Sequence, residues 1–484
     1  MLTKHISNLF KSPASLYVIL RYVTYGLQFA NSILLVNVLG EFSYGVYGFI
    51  IMFTLYFIYL NMGVNDSLNA EYALNKDNPV ARKELWNNAL SIVICWYGFI
   101  LILSIVGLRI FPDVLSKYEF SSYGYALLLT CIIHNISILY ATLYKIYGKT
   151  LKVNVEQLLP QIGILILIIG GKDVASISAV VMVMLGANLF SLVLYLISPP
   201  EKFTFSFQPK VIVILIKRGI SLLLYNLSFQ LLTMLALMVV SAWYTVEQMG
   251  CYSLANSITN GVLMAGGAFL FIFFPKIINR MGNSKEDGKR LIDKFETIYI
   301  IFIDFVSIIS IICVWILSLA YPSYGTTFVK IYIFLIIGRI INNCAIGFST
   351  YLISIKKERL LVICGISALV ISAIGYAFIK LYALPIIYVP QMIVGACVVF
   401  SVMTIAFGQR YLYGRVDIKQ MFRFLLGQSK WVIIITGGVY AFIYDSYIVL
   451  LAGFFLYLAL NYKRLFFSIK HGYRIVANRS SLKF

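Results

Sequence analysis

The chain has 484 residues, 61% of them hydrophobic and only 12% charged, with a formal net charge of +20 and a mean hydropathy of +0.89. Soluble domains hold about 25% charged residues, so a single globular core, a disordered chain and a disulfide scaffold are all excluded. What remains is an all-α polytopic membrane protein, because helices satisfy their own backbone hydrogen bonds in lipid, and the strict alternation of an outer-membrane barrel is missing.

Apolar stretches of about 20 residues predict fourteen transmembrane helices: 15–38, 45–65, 88–110, 122–144, 155–171, 175–197, 219–242, 249–274, 297–320, 326–350, 359–380, 385–408, 430–446 and 447–466. The first is long enough to span the membrane and does not read as a cleavable signal. The last two are separated by Asp445 and Ser446 alone.

Charge orients these spans. Of the 39 Lys and Arg residues, only Arg109, Lys117, Lys172, Lys330 and Lys380 fall on the outer side, and Arg21 and Arg339 lie inside spans. All the others fall on the inner side, which places both termini in the cytoplasm by the positive-inside rule. The excess of positive charge therefore belongs to membrane topology, and no nucleic-acid partner is expected. The seven cysteines (95, 131, 251, 313, 344, 364 and 397) form no CxxC and no metal-ligand spacing with the three histidines, and read as packing residues.

An internal repeat follows. Gly45-Val46-Tyr47 opens the second span and Gly250-Cys251-Tyr252 opens the eighth. The same shift lays the basic loops of the first half onto those of the second. An even number of spans per repeat gives two halves of the same orientation, a design common in transporters, with substrate expected near the midplane. The predicted division is an N-terminal lobe at 1–200, a C-terminal lobe at 201–409, and 410–484 as an amphipathic linker, a helix pair and a basic tail. In the linker, Arg415, Lys419 and Arg423 share one helical face, offset from Ile418, Phe422 and Leu425, which reads as an interfacial helix.

Intramembrane polar residues supply the candidate site. Arg21 is followed by Thr24, Tyr25, Gln28, Asn31 and Ser32 at spacings that draw one stripe down a helix. Asn226, Gln230 and Thr233 repeat that pattern in the seventh span, as do Ser253, Asn256 and Asn260 in the eighth. Such stripes line a polar interior or hold packed helices together by hydrogen bonds. Arg339, with Asn342 and Asn343 at i+3 and i+4 on the same helix face, is deeper. A charge there costs at least about 2.5–3.5 kcal/mol, and Asp304 is the acid placed well inside a span to offset it, with Asp66 and Glu156 nearer the ends. An Arg339–Asp304 pair could be purely structural. It would still leave Arg21 as a fixed cation, favouring an anionic ligand, and guanidinium forks match phosphate oxygens. His134, next to Asn135, is a candidate proton relay or a packing residue. Gly266-Gly267 and Gly437-Gly438 read as points of close helix approach. There is no catalytic constellation, nucleotide-binding loop or metal motif, so neither an enzyme nor a resident cofactor is expected.

Val38-Leu39-Gly40-Glu41-Phe42-Ser43-Tyr44-Gly45-Val46-Tyr47-Gly48 resembles the segment between the first two spans of polysaccharide flippases. Asn61-Met62-Gly63-Val64-Asn65-Asp66 resembles that family's end of span two, and Val246-Glu247-Gln248-Met249-Gly250-Cys251-Tyr252-Ser253-Leu254-Ala255 its second-half counterpart. The resemblance covers spans one to twelve. It implies the multidrug/oligosaccharidyl-lipid/polysaccharide exporter (MOP) superfamily, with two MATE-like six-helix lobes. O-antigen-type members carry undecaprenyl-diphosphate-linked oligosaccharide from the cytoplasmic to the periplasmic leaflet of the bacterial inner membrane, in lipopolysaccharide biosynthesis. Related flippases use arginines in the first helix and interior for the diphosphate, a role carried here onto Arg21 and Arg339. The position matching Arg21 in the second half is Asn226, so a paired cation is absent there.

The resemblance thus implies an H⁺ or Na⁺ gradient as driving force, with His134 and Asp304 as candidates for ion coupling. Tyr25, Gln28, Asn226, Gln230, Asn256, Asn260, Asn342 and Asn343 would serve as polar partners for sugars. Membrane lipids are implied partners, with a polysaccharide polymerase and glycosyltransferases around it. The rival readings are a drug or metabolite antiporter of the same fold, which should want buried carboxylates, and a membrane glycosyltransferase or polymerase, which should show a large outer loop. A scaffolding protein would not need two intramembrane arginines.

Overall fold

The computed structural model describes residues 13–75, 77–111, 115–319, 321, 324–427, 429–443 and 445–477. Within these, the side chains at 13–18, 73, 221, 225–226, 228–229, 265–276, 278–279, 282–283 and 469–477 lie outside the description. Every regular element among the described residues is helical. In chain order these are α1 (Pro13–Leu39), α2 (Glu41–Tyr59), α3 (Val64–Leu74), α4 (Pro79–Ile110), α5 (Phe120–Ile146), α6 (Thr150–Gly170), α7 (Ile177–Ile197), α8 (Pro209–Trp243) and α9 (Val246–Asn283). Then come α10 (Lys285–Lys294), a π-helix (Phe295–Ile300), α11 (Ile301–Ser318), α12 (Gly325–Asn343), α13 (Ile346–Ser354), α14 (Glu358–Leu381), α15 (Tyr388–Tyr413), α16 (Ile418–Leu426), α17 (Lys430–Phe442) and α18 (Tyr447–Ala477).

Eleven described helices are long and apolar enough to cross a membrane, or twelve if the bent pair α16 and α17 is one span. The chain is a multi-pass membrane protein. The expected fourteen spans are not reached among the described residues, for two reasons. The predicted seventh and eighth spans fall on α8 and α9, 35 and 38 residues long, which run through side chains outside the description. The predicted thirteenth is only 13 residues of helix, about 20 Å at 1.5 Å per residue, against a hydrocarbon core of about 30 Å.

Two compact units are found: residues up to Leu227 together with Thr245–Gly250, and Ser228–Tyr244 together with residues from Cys251 onward. The boundary therefore falls inside α8 and α9.

In the first unit, α4 starts with Pro79 at its first turn and Asn78 as cap, whose side chain accepts from the Ala81 amide at 3.0 Å. Further along, α4 holds the extended segment before α8. Asn87 Oδ1, Ser91 Oγ and Asn88 Oδ1 accept from the amides of Thr204, Ser206 and Gln208 at 3.0, 3.1 and 2.6 Å. Alternate amides of an extended chain point the same way, so three side chains of one helix face can serve them all. Phe203, Phe205 and Phe207 occupy the intervening positions, with ring centroids 6.0 and 5.1 Å apart. Asn88 is fully buried. Asn88→Ala is expected to cost about 1–3 kcal/mol, read as a lower melting temperature in detergent. An unchanged melting temperature would show that this segment contributes nothing to stability.

At the start of α3, Gly63 has φ +71°, and a Cβ there would overlap the backbone of Gly219 on α8. This is a close backbone approach that only glycines permit. Arg218 on α8 forms an ion pair with Glu71 on α3, which fastens the same junction.

In the second unit, α12 is enclosed nearly all round, with Phe328, Val329 and every residue from Ile331 to Gly338 buried. Gly437 of α17 lies against it, where a Cβ would come within 2.8 Å of Ile333. The predicted close approach at Gly437-Gly438 is made by Gly437 alone, since Gly438 has nothing within 4 Å. Gly266 and Gly267 lie outside the described residues as regards side-chain surroundings. Leu232, Cys364, Ala368, Ala396 and Phe400 form a small-residue core between α8, α14 and α15. Lys330 and Asp445, both predicted on the outer side, form an ion pair at 2.7 Å. Helix α16 is amphipathic: Phe424 and Leu425 are buried, while Ile418, Phe422 and Leu426 are exposed.

Candidate functional site

The predicted site residues separate into a cluster in each unit. In the first unit Arg21, half-buried on α1, donates from Nε to Tyr25 Oη at 2.6 Å and from Nη1 to Gln157 Oε1 on α6. Its guanidinium also lies 5.1 Å from the Tyr25 ring centroid. One and a half turns further along α1 from Tyr25, Asn31 Nδ2 donates to the Gln161 carbonyl at 2.8 Å and to Gln161 Oε1 at 3.3 Å. The stripe drawn from the sequence thus divides. Arg21 and Asn31 dock on α6, Thr24 and Ser32 turn back onto the carbonyls of Leu20 and Gln28, and Gln28 is exposed.

Beside Gln157 sits Glu156, 5% exposed. It lies near the start of α6, as its sequence position implied, yet it is deeply buried. Its Oε2 accepts from Tyr195 Oη on α7 at 2.6 Å, and its Oε1 is 3.9 Å from His134 Nδ1 on α5. The same His134 nitrogen is 3.1 Å from Asn188 Oδ1. Arg21 and Lys145 are near enough to act on Glu156 electrostatically. Arg21, expected to lack a counter-charge, therefore has one on the helix it docks against.

In the second unit Arg339, on α12, donates from Nη2 to Thr233 Oγ1 on α8 at 3.2 Å and to Asn260 Oδ1 on α9 at 3.4 Å. Tyr252 and Cys397 lie within electrostatic range of it. The same helices and α14 carry buried polar atoms with no hydrogen-bond partner among the described residues: Asn342 Oδ1 and Asn343 Nδ2 on α12, Asn256 Oδ1, Ser253 Oγ and Tyr252 Oη on α9, and Tyr376 Oη on α14. Gln230, on α8, is exposed, and Asn226 lies outside the described residues as a side chain.

Asp304 does not take the Arg339 partnership weighed from the sequence. It is fully buried on α11, and its Oδ2 is 3.7 Å from Nζ of Lys430, itself fully buried. Lys430 also donates to the carbonyls of Phe424 and Gly427 at 3.4 and 3.3 Å. The sequence reading counted Lys430 with the solvated inner loop, and the structure turns it inward at the first residue of α17.

A sequence model of the family described as "Polysaccharide biosynthesis protein" matches residues 12–281, more than half of the 484. The chain belongs to the polysaccharide biosynthesis protein family. Among solved structures, the chain is similar to lipid II flippase MurJ in an inward closed conformation, at 13% identity over 93% of this chain and 99% of that one, with a TM-score of 0.65. It is also similar to an inward-facing multidrug resistance MATE family transporter of the MOP superfamily, at 15% identity over 81% and 95% of the two chains and a TM-score of 0.62. A MATE transporter of Vibrio cholerae is similar at 14% identity over 84% and 98%, with a TM-score of 0.58. Identities this low establish a shared fold. No protein of curated function matches the chain in sequence.

In this family member several polar partners had gone unnoticed. Gln157 and Gln161 sit four residues apart on one face of the fifth span, a spacing visible in the sequence but not singled out among so many apolar residues. Asn188, Tyr195 and Tyr376 carried no signal, since each joins its cluster from a helix distant in sequence, and Tyr252 stood out only as part of the repeated Gly-x-Tyr. Chemically the two clusters differ. The first is a compensated network in which Glu156 lies among His134, Tyr195 and Arg21, and the second holds a cation on helices that carry buried groups with spare donors and acceptors.

Proposed function

We propose that the chain is a flippase that moves a polyprenyl-diphosphate-linked oligosaccharide, such as an O-antigen repeat unit on undecaprenyl diphosphate, from the cytoplasmic to the periplasmic leaflet of a bacterial inner membrane by alternating access. The observation that carries this reading is Arg339 set among buried, unpartnered hydroxyls and amides. Each such atom costs about 1–3 kcal/mol when left unmet, so a ligand rich in hydroxyls and phosphate oxygens would relieve several at once. A guanidinium fork fits a diphosphate, and Asn and Tyr groups fit sugar hydroxyls. Arg21 is the corresponding cation of the first unit. Family membership and the flippase and transporter fold support the same reading. Glycosyltransferases would supply the lipid-linked sugar, and a polymerase would consume it.

Coupling is assigned to the His134–Glu156 pair. It is the imidazole–carboxylate contact of the first unit, and Tyr195 supports the carboxylate. Asp304 takes a structural role, since Lys430 already occupies it. The antiporter reading is weaker, because a cationic drug wants an uncompensated carboxylate, and Glu156 already faces His134, Lys145 and Arg21.

The test is reconstitution into liposomes with a fluorescent polyprenyl-diphosphate oligosaccharide in one leaflet, under an imposed proton gradient or an imposed sodium gradient. Wild type is expected to move the lipid faster with the proton gradient. Arg21→Ala is expected to move it more slowly. Export of a cationic dye in place of the lipid would sink the flippase reading, and acceleration by sodium alone would sink the proton assignment.

A further inference from the structure

At one end of the second unit a pocket of about 580 Å³ is lined by Arg423 of α16 and by Lys463 and Arg464 of α18. Glu296 and Thr297 of the π-helix complete its polar wall, and Ile301 and Phe467 form an apolar one. None of these residues belongs to the clusters around Arg21 and Arg339. We infer that this pocket binds the phosphate-bearing headgroup of an anionic membrane lipid, a reading that does not depend on the transported substrate.

Three observations carry it. The first is charge. Three cations share the lining with one carboxylate, Glu296, which is 7% exposed and lies within electrostatic range of Arg423, Arg464 and Lys430. Asp293 acts on Arg423 as well. These acids steady the cations without cancelling them, and Arg423, Lys463 and Arg464 all remain exposed. The end concerned is the one that the Lys and Arg bias assigns to the inner face. Basic pockets between helices on that face suit anionic headgroups, and arginine forks suit phosphate.

The second observation is the built frame. The Ser468 hydroxyl donates to the Ile298 carbonyl in the π-helix at 2.7 Å, which ties α18 to that wall. Lys430 ties the end of α16 to α11 through Asp304, Phe424 and Gly427. The pocket is therefore formed before any ligand arrives. Its wall of π-helix is a feature that recurs at functional sites.

The third is the apolar wall. Phe467 is 47% exposed, and Phe466, Phe422 and Ile418 nearby in sequence on α18 and α16 are exposed at 70%, 56% and 62%. A soluble phosphate has no use for such surface, whereas a lipid needs it for its acyl chains once the phosphate is seated.

The test uses the full-length protein in neutral detergent, titrated with phosphatidylglycerol or phosphatidylcholine, with retained lipid counted by native mass spectrometry. Phosphatidylglycerol is expected to be held roughly tenfold more tightly than phosphatidylcholine. The double substitution Arg423→Gln/Arg464→Gln is expected to abolish that preference, Lys463→Gln to weaken it, and Arg21→Ala to leave it intact. The substituted groups are exposed, and an unchanged melting temperature confirms that the variants are folded. Equal retention of both lipids by wild type, or an undiminished preference in the double variant, overturns the inference. Displacement of phosphatidylglycerol by inorganic phosphate at equal concentration also overturns it, in favour of a soluble phosphate ligand.

Discussion

Arg339→Ala is expected to slow translocation of the lipid-linked oligosaccharide about ten- to a hundredfold, the equivalent of one charge-assisted hydrogen-bonding group at about 1.5–3 kcal/mol. The effect should exceed that of Arg21→Ala. Arg21 donates to Tyr25 and Gln157, whereas the helices around Arg339 carry buried hydroxyls and amides that have no hydrogen-bond partner among the described residues and that a ligand would satisfy. Arg339→Lys keeps the charge and loses the fork, so it should fall between alanine and wild type. Initial rates in proteoliposomes, normalised to folded protein, decide the matter. If Arg339→Ala lowers the melting temperature and leaves the rate untouched, Arg339 is a strut between α12, α8 and α9.

The largest stability effect is expected at Lys430. Lys430→Ala leaves the fully buried Asp304 without its cation, and breaking one side of a buried pair costs about 3–5 kcal/mol. The double substitution Lys430→Ala/Asp304→Asn removes both charges and should recover most of that loss. Thermal unfolding of wild type, Lys430→Ala, Asp304→Asn and the double variant in one detergent measures the coupling between the two sites. A single variant as stable as wild type would mean that Asp304 is neutral in the folded protein and the pair contributes nothing. Flipping by the double variant at the wild-type rate is expected as well, since Asp304 is assigned no part in coupling.

The spans illustrate how far pattern reading goes. The windows at 88–110, 122–144 and 359–380 correspond to α4, α5 and α14, because a long apolar stretch in lipid has no alternative to a helix. Breaks inside apolar sequence were harder. The window at 326–350 splits at Cys344 and Ala345 into α12 and α13, and the window at 430–446 gives only the short α17 after the bent α16. Composition hardly changes at those points. Packing acts within these elements, as where Gly437 seats α17 on α12.

Polar residues show the same division. Arg21 and Arg339 stand out in the sequence because a charge in an apolar window is costly wherever the helix packs. Their partners do not stand out. Nothing in the chain marks Gln157 and Glu156 for Arg21 and its surroundings, or Thr233 and Asn260 for Arg339, or Lys430 in place of Arg339 for Asp304. Spacing along one helix reports only which residues share a face, and the neighbour across that face comes from a segment far away in the chain.

Membrane residence, the all-α class and the family therefore follow from the amino-acid sequence alone, since they depend on summed hydropathy, on charge asymmetry and on short local motifs, none of which needs three-dimensional contacts. The tertiary structure alone decided which charges are compensated, where helices break, and that three cations from α16 and α18 meet around the π-helix. Those outcomes depend on helix–helix packing, and in lipid that packing is governed by local fit and hydrogen bonding, with no hydrophobic difference between one apolar face and another to reveal it beforehand.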